Sequence, residues 1–381
     1  MSRTKYLKSF IDYRYFDFPE KFIKSKITAI KFRYVNHRIN LVNPYIFLCN
    51  KTTEFDRFLI STTLKGNFVF LKDSVIQKIY NGLLSEEETE NLLKSFKVLK
   101  SAFISVVIFP EKSITAFGKT GELPTEITDF LFKTNYDFKF FSFVGTYFSM
   151  PIWAEEFRRC DTRFNQQFHI SHKDLVGLKQ ADVNFAFNSY MPSSATTYSY
   201  KYNPYILSNK KAQNIETLIY CCPNCKKFFS LYSEFNCLKC RECGTAVEFS
   251  MNGTILLSSN ITDLDSFADF QYNVLKNLYF SDKKPMIEYN TIKVLKMITE
   301  LTSEYMGLAN IKIYCNKFVI DYPSKTETYK LIDIKDVNYL PRNTLSILMK
   351  NGVSIMISGD NKENFYIIKD LHKFFNEEIK D

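Results

Sequence analysis

Residues 102–109 read AFISVVIF, a run without a charge and rich in β-branched side chains. A run of that length and character is a strand buried on both faces, as in a mainly parallel sheet. Just before it, SEEETENLLKSFKVLKS (85–101) has helical spacing, with Leu92, Leu93, Phe96, Val98 and Leu99 near one face. Upstream, PYIFLC (44–49) is a second apolar strand, and downstream FKFFSFVGTYFSMP (138–151) holds a third. Apolar strands alternating with helical stretches predict an open α/β domain, a mixed sheet flanked by helices, over 41–190.

The flanking sequence divides into further segments. A polar stretch within 176–215, NSYMPSSATTYSYKYNPY, reads as a linker. Residues 216–250 carry a cysteine cluster, and 256–307 read as a helical connector. From 308 onward, IKIYCNKFVIDY, TYKLIDI, TLSILMK and VSIMIS alternate between turn residues, with Asn351-Gly352 as a hairpin signal. A last helix, KENFYIIKDLHKFFNEEI, follows. Antiparallel strands closed by one helix resemble a small pleckstrin-homology-like β-roll, expected over 308–381.

Composition narrows the class. With 381 residues there is room for two or three domains. An apolar content of 45% and a charged content of 24% exclude a wholly disordered chain. No window of 18 uninterrupted apolar residues offers a transmembrane helix. The start, MSRTKYLKSFIDYRYF, lacks the apolar run of a secretory signal, so a cytoplasmic protein is expected. Residues 1–40 hold ten Lys or Arg against three acids, a net +7 of the chain's +9. Interleaved with Phe, Tyr and Ile, these charges suit an anionic membrane surface, predicting a basic aromatic interface segment.

Six of nine cysteines fall between 221 and 243, which in a cytoplasmic chain indicates a metal site. Cys222-Pro-Asn-Cys225 and Cys240-Arg-Glu-Cys243-Gly244 lie 14 residues apart and can offer four thiolates to a structural Zn2+ in a zinc ribbon. Gly244 suits the tight turn after a knuckle and favours Cys243. Cys237 and Cys240 also make a Cys-x-x-Cys, so Cys237 stays open as the alternative.

Set side by side, PYIFLCNKTTEFDRFLIST (44–62) and VVIFPEKSITAFGKTGELP (106–124) resemble two motifs of the glycerophospholipid acyltransferase family, the PlsC-type lysophosphatidic acid acyltransferases. The first family motif is Asn-His-x-x-x-x-Asp, and this chain has Asn50-Lys51-Thr52-Thr53-Glu54-Phe55-Asp56. The second is Phe-Pro-Glu-Gly-x-Arg-Ser with a later Gly. Here it reads Phe109-Pro110-Glu111-Lys112-Ser113-Ile114-Thr115, then Gly118. Gly145-Thr-Tyr-Phe-Ser-Met-Pro151-Ile-Trp153 resembles the family's fourth block, and Phe267-Ala-Asp-Phe-Gln271 a joining segment of Firmicute members. Those members often carry a zinc ribbon and a pleckstrin-homology-like module after the acyltransferase domain.

The resemblance implies acyl transfer from acyl-CoA or acyl-carrier protein to a lysophospholipid, on the inner face of the cell membrane. It places Lys51 and Asp56 at the catalytic positions and Glu111, Lys112, Thr115 and Gly118 at substrate-binding positions. In the family the His is the general base, the Asp orients it, and the Arg holds phosphate. Lys51 replaces that His, and an ordinary Lys is protonated at neutral pH. Asp56 beside it would hold the proton more tightly still. Ile114 replaces the Arg, removing a bidentate phosphate partner. Lys112 replaces the small Gly. His37, His169 and His172 are the candidates for a substitute base outside the motif, and Cys49 reads as a buried small hydrophobe.

The expectation is therefore an acyltransferase-family protein with an impaired site, peripheral on an anionic membrane, meeting lysophospholipid or an acyl chain. The alternatives are a non-catalytic lipid- or membrane-binding scaffold, and a nucleic-acid binder using Lys226, Lys227, Lys239 and Arg241 of the ribbon. Nucleic acid is not the expected partner, because the charge surplus lies in the N-terminal segment.

Overall fold

A computed structural model describes residues 11–12, 32–34, 39–53, 55–80, 82–111, 114–120, 122–190, 194–256, 261–277, 284–298, 302–360 and 362–378. The chain forms two compact units, Met1–Ser149 with Arg158–Leu207, and Met150–Phe157 with Ser208–Asp381. Most of the predicted interface segment 1–40 lies outside the described residues. Its described parts are the short strands β1 (Ile11–Asp12), β2 (Phe32–Tyr34) and β3 (Ile39–Asn40).

The first unit is built on β4 (Tyr45–Cys49), β5 (Leu64–Lys65), β6 (Phe68–Leu71), β7 (Ser105–Ile108), β8 (Asp137–Val144), β9 (Arg159–Ile170) and β10 (Ile206–Leu207). Its main sheet runs β1-β6-β7-β4-β8-β9-β10, with β2 added beside β9. The centre is parallel: β6 pairs with β7, β7 with β4, and β4 with β8. The edge strand β1 pairs antiparallel with β6, and the long β9 antiparallel with β8. Every residue of β6 and β7 is buried, as the charge-free run predicts for a strand covered on both faces.

Helices follow the strands: α1 (Asp56–Thr63), α2 (Asp73–Tyr80), α3 (Glu86–Ser101), α4 (Thr125–Lys133), α5 (Thr146–Ser149), α6 (His172–Leu175), α7 (Gln180–Tyr190) and α8 (Ala195–Tyr202). A reciprocal capping box starts α3: the Ser85 hydroxyl accepts the Glu88 N–H, and the Glu88 carboxylate accepts the Ser85 N–H. Leu92, Phe96 and Leu99 of α3 enter one core with Ile46 and Leu48 of β4, Val106 and Ile108 of β7, and Phe187 of α7. Val98 is 45% exposed, off the stripe the periodicity assigned it. The alternate residues of β4 serve the other face of the sheet, where Phe47 stacks on Phe141 and Phe70 on Phe109. The expected linker contains α7 and α8. α8 is capped by Ser194 and closed by a left-handed Asn203, so a polar composition there is compatible with helix.

The second unit holds two antiparallel sheets. β11 (Leu231–Glu234), β12 (Cys237–Cys240), β13 (Ala246–Phe249) and β14 (Ile255–Leu256) form a four-stranded sheet in sequence order. α9 (Leu264–Lys276) follows. β15 (Ile287–Met297), β16 (Ser303–Ile313), β17 (Lys317–Asp321), β18 (Thr326–Lys330), β19 (Ile334–Leu340), β20 (Thr344–Met349) and β21 (Ser354–Ser358) make a seven-stranded sheet, ordered β18-β17-β16-β15-β21-β20-β19. The terminal helix α10 (Tyr366–Glu378) closes the chain, and β20 and β21 are joined through Asn351-Gly352, with Gly352 at φ +85°.

The helical connector expected over 256–307 is corrected here. Among the described residues of that range only α9 is helical, while β15 and the first five residues of β16 fall inside it, so the sheet begins at Ile287 and not at 308. In IEYNTIKVLKM, Ile292 and Val294 are buried between exposed Thr291, Lys293 and Leu295's half-exposed position, a period of two. β-branched residues on a half-buried pleat favour the strand.

Candidate functional site

The parallel strands β4 and β7 end side by side, and the two motifs begin where they end. Ligand sites in open α/β sheets characteristically lie at this carboxyl end. Asn50 leaves β4 and is clamped to β8: its amide donates to the Phe143 carbonyl at 3.1 Å, and its carbonyl accepts the Phe143 N–H at 2.8 Å. This clamp fixes the start of the loop.

Asp56 is fully buried and closes its own turn. Its Oδ2 accepts the Thr52 N–H at 2.6 Å, the Thr53 N–H at 2.9 Å and the Thr52 hydroxyl at 3.1 Å. The Thr52 and Thr146 hydroxyls are 2.6 Å apart. Burial outweighs these hydrogen bonds and pushes the Asp56 carboxyl up to about 6.

Lys51 sends its backbone and side chain in different directions. Its N–H donates to Glu111 Oε2, which joins the two motifs. Its ammonium donates to Asp73 Oδ2 at 2.7 Å, and Arg57 donates to the other oxygen of the same carboxylate. The Lys51 and Arg57 side chains are each 8% exposed, against 38% for Asp73. The Arg57 guanidinium also sits over the Phe70 and Phe109 rings, 5.6 and 5.7 Å from their centroids. Burial alone would raise the Asp73 carboxyl, but the Lys51 and Arg57 cations more than offset it and hold it below its usual range. The expected placement of the Asp56 carboxylate against the Lys51 ammonium is thus corrected. Asp56 is committed to Thr52 and Thr53, and the ammonium to Asp73.

Glu111 is 8% exposed, and its Oε1 has no hydrogen-bond partner among the described residues. Burial raises its carboxyl to about 8, with the Lys51 N–H opposing and the nearby Asp56 charge adding to the rise. The same burial, together with Asp56 and Glu111, raises Cys49 well above a usual thiol, as suits a small buried hydrophobe. Ile114 is buried, 7% exposed, at the motif position that would hold a phosphate-binding Arg. The Thr115 hydroxyl is buried without a partner among the described residues. Gly118, at φ +83°, packs where a Cβ would meet Ala195 at 2.6 Å and Tyr147 at 2.9 Å. That contact gives it a packing role. Lys112 lies outside the described residues.

Neither His169 nor His172 is brought to this site. His37 lies outside the described residues. His169 packs edge-on against Tyr45, and the His172 N–H donates to Asp137. Tyr45 and Asp137 face each other at the opposite end of β4 and β8 from Asn50. Asp73, which accepts from the Lys51 ammonium, and Arg57, which shares that carboxylate, were not among the residues singled out from the sequence. Asp73 opens α2, 22 positions from Lys51, and no motif spacing connects them.

In the second unit the two Cys-x-x-Cys knuckles fold alike. The Lys226 N–H donates to the Cys222 carbonyl and the Gly244 N–H to the Cys240 carbonyl, each at 3.1 Å. Lys226 and Gly244 are both left-handed, at φ +57° and +71°. The four sulfurs of Cys222, Cys225, Cys240 and Cys243 lie within 4.8 Å of one another. Cys222 to Cys243 is 3.6 Å and Cys225 to Cys240 is 3.7 Å. A tetrahedral ion with metal–sulfur bonds of about 2.3 Å needs sulfurs roughly 3.8 Å apart, so the set fits a metal. Hydroxyls of Thr245 and Ser230 lie 3.1 and 3.3 Å from Cys243 and Cys240 and can orient the thiolates. Cys237 is not in the cluster, which answers the ambiguity in favour of Cys243.

No family model matches the chain, and no curated protein matches it. Among solved structures, it is similar to the 1-acyl-sn-glycerophosphate (LPA) acyltransferase PlsC from Thermotoga maritima. That match has 13% identity and a TM-score of 0.31, and covers 45% of this chain and 76% of that one. A second similar structure is the inner membrane complex sub-compartment protein 3 of Toxoplasma gondii. It has 16% identity and a TM-score of 0.17, and covers 29% of this chain and 82% of that one. Both scores are too low to establish a shared fold. No helix among the described residues is long and apolar enough to cross a membrane.

Proposed function

We propose that this chain is a non-catalytic member of the glycerophospholipid acyltransferase family, a peripheral protein that binds lysophospholipid or acyl chains at an anionic membrane face. The observation that carries this reading is the Lys51–Asp73–Arg57 cluster at the position of the catalytic base. An ammonium donating to a carboxylate has no lone pair with which to take a hydroxyl proton. The buried Ile114 offers no fork for phosphate. The loop that would position a reacting hydroxyl is kept, while its chemistry is replaced by an internal ion cluster. The four cysteines would hold a structural Zn2+ in a zinc ribbon. Four thiolates fill a tetrahedral ion and leave no open position for a substrate. The seven-stranded sheet with its terminal helix would be a pleckstrin-homology-like docking module.

A second reading is acyl transfer with a carboxylate base, favoured by the Glu111 carboxyl raised to about 8, a suitable value near neutral pH. The two readings separate when the zinc-loaded full chain is sedimented with anionic vesicles containing lysophosphatidic acid and an acyl thioester. Vesicle binding with no acylated product supports the proposal. Product that disappears in Glu111→Gln would establish the second reading, and absence of vesicle binding would remove the lipid-binding one.

A further inference from the structure

The second unit contains a cavity of about 870 Å³, in the range of small-molecule sites. Its lining includes Trp153, two cations, Arg342 and Lys362, and three carboxylates, Glu155, Glu216 and Asp360. We propose that this cavity binds a zwitterionic phospho-amine, a molecule carrying a phosphate and an amine a few bonds apart. The inference rests on this unit alone and is independent of the acyltransferase reading.

Both signs of charge line one cavity. A plain phosphate would bind the two cations but also face three carboxylates, and a plain amine would face the two cations. A ligand with both charges can satisfy both groups. Trp153 is 5% exposed, and an indole face favours an ammonium more than any other aromatic ring does.

The backbone holds Arg342 in place under strain. Pro341, Arg342 and Asn343 connect β19 to β20, with Arg342 at φ +61° and Asn343 at φ +48°. Asn tolerates that region, whereas Arg gains nothing locally from it. Strain retained at a cavity rim points to a use for the side chain. Asn343 is 3% exposed and acts as a latch. Its Oδ1 accepts the Tyr339 hydroxyl at 2.9 Å, and its amide donates to the Glu363 carbonyl at 3.0 Å and to the Asp360 carbonyl. This ties the Arg342 loop to the segment that carries Lys362.

Another part of the lining is left short of partners. Glu216 Oε1 accepts the Ser233 N–H at 3.1 Å and the Ser233 hydroxyl at 2.9 Å. Glu216 Oε2 and Asn214 Nδ2 are buried with no partner among the described residues. An ammonium would supply the carboxylate's missing donor, and a phosphate or hydroxyl oxygen the amide's missing acceptor.

The test uses the chain's own reporter, because Trp153 is the single tryptophan in the sequence. Phosphoethanolamine, inorganic phosphate and ethanolamine are titrated separately into the full chain and followed by tryptophan fluorescence. Vesicles with and without phosphatidylethanolamine form a second arm. A saturable shift with free phosphoethanolamine assigns a soluble ligand, and one specific to phosphatidylethanolamine vesicles assigns a lipid headgroup. Either should be at least about tenfold tighter than with phosphate or ethanolamine. Arg342→Gly should weaken binding about tenfold or more without lowering the thermal midpoint, since Gly accepts the left-handed backbone. Glu216→Gln should weaken it as well. No saturable shift in either arm would overturn the proposal, as would equal binding of inorganic phosphate alone or wild-type binding by Arg342→Gly.

Discussion

Replacing Glu111 by Gln should stabilise the first unit at neutral and alkaline pH and have little effect near pH 5. The Glu111 carboxyl is raised from 4.5 to about 8 in the fold, chiefly by burial. Below 4.5 both folded and unfolded chains hold the proton. Between 4.5 and about 8 the unfolded chain has lost it and the folded chain has kept it, so stability falls as pH rises, by about 1.4 kcal/mol per pH unit. Across the interval that is roughly 5 kcal/mol at most, because water entering the site would relieve part of it. Gln cannot ionise, yet it keeps an acceptor for the Lys51 N–H. Asp56 titrates in both proteins and largely cancels from their difference. Urea unfolding should be measured at several pH values through hydrogen-exchange protection of β4 and β7, which reports the unit that holds the site. The Gln variant's advantage should grow from under about 1 kcal/mol at about pH 5 to roughly 3–5 kcal/mol at about pH 8. An advantage that does not change with pH would refute the reasoning, since it would mean Glu111 ionises in the fold as it does in water.

Asp73→Ala should destabilise the first unit by about 1–3 kcal/mol, below the usual 3–5 for breaking a buried pair because Asp73 is itself partly solvated. Adding Lys51→Met should cost less than the sum of the single changes, which denaturant unfolding of the double-mutant cycle would show. One metal ion per chain is expected by elemental analysis. Cys222→Ser should lose it and expose the amides of β11–β13 to exchange, while Cys237→Ser should retain it.

Sequence patterns exposed what depends on neighbours along the chain. The buried strand at 105–108 followed from an uncharged β-branched run, and α3 from the spacing of Leu92, Phe96 and Leu99. The cysteine cluster followed from two short spacings, because a knuckle is a local turn. Two kinds of feature were not legible. The first is long-range pairing. The Lys51 ammonium could have faced Asp56, five positions away, but the Asp56 carboxylate is taken by backbone N–H groups of its own turn. The partner that remains, Asp73, is placed by tertiary packing. The second is the helix-or-strand choice in IEYNTIKVLKM, where charged and apolar residues are spaced closely enough to suit either period. Pairing with β16 and β21 decided it for strand. The cavity lining was equally hidden, since Trp153, Glu216 and Arg342 meet only once the unit has folded.

The proposal that the first unit keeps an acyltransferase-like loop without a catalytic base is tested most directly by acyl-thioester turnover with lysophosphatidic acid in anionic vesicles, using purified wild-type protein loaded with zinc. The account predicts no product above the protein-free rate. Turnover by the wild type that is abolished by Asp56→Ala would contradict it, and would mean that this site performs acyl transfer with Lys51 or Glu111 in place of histidine.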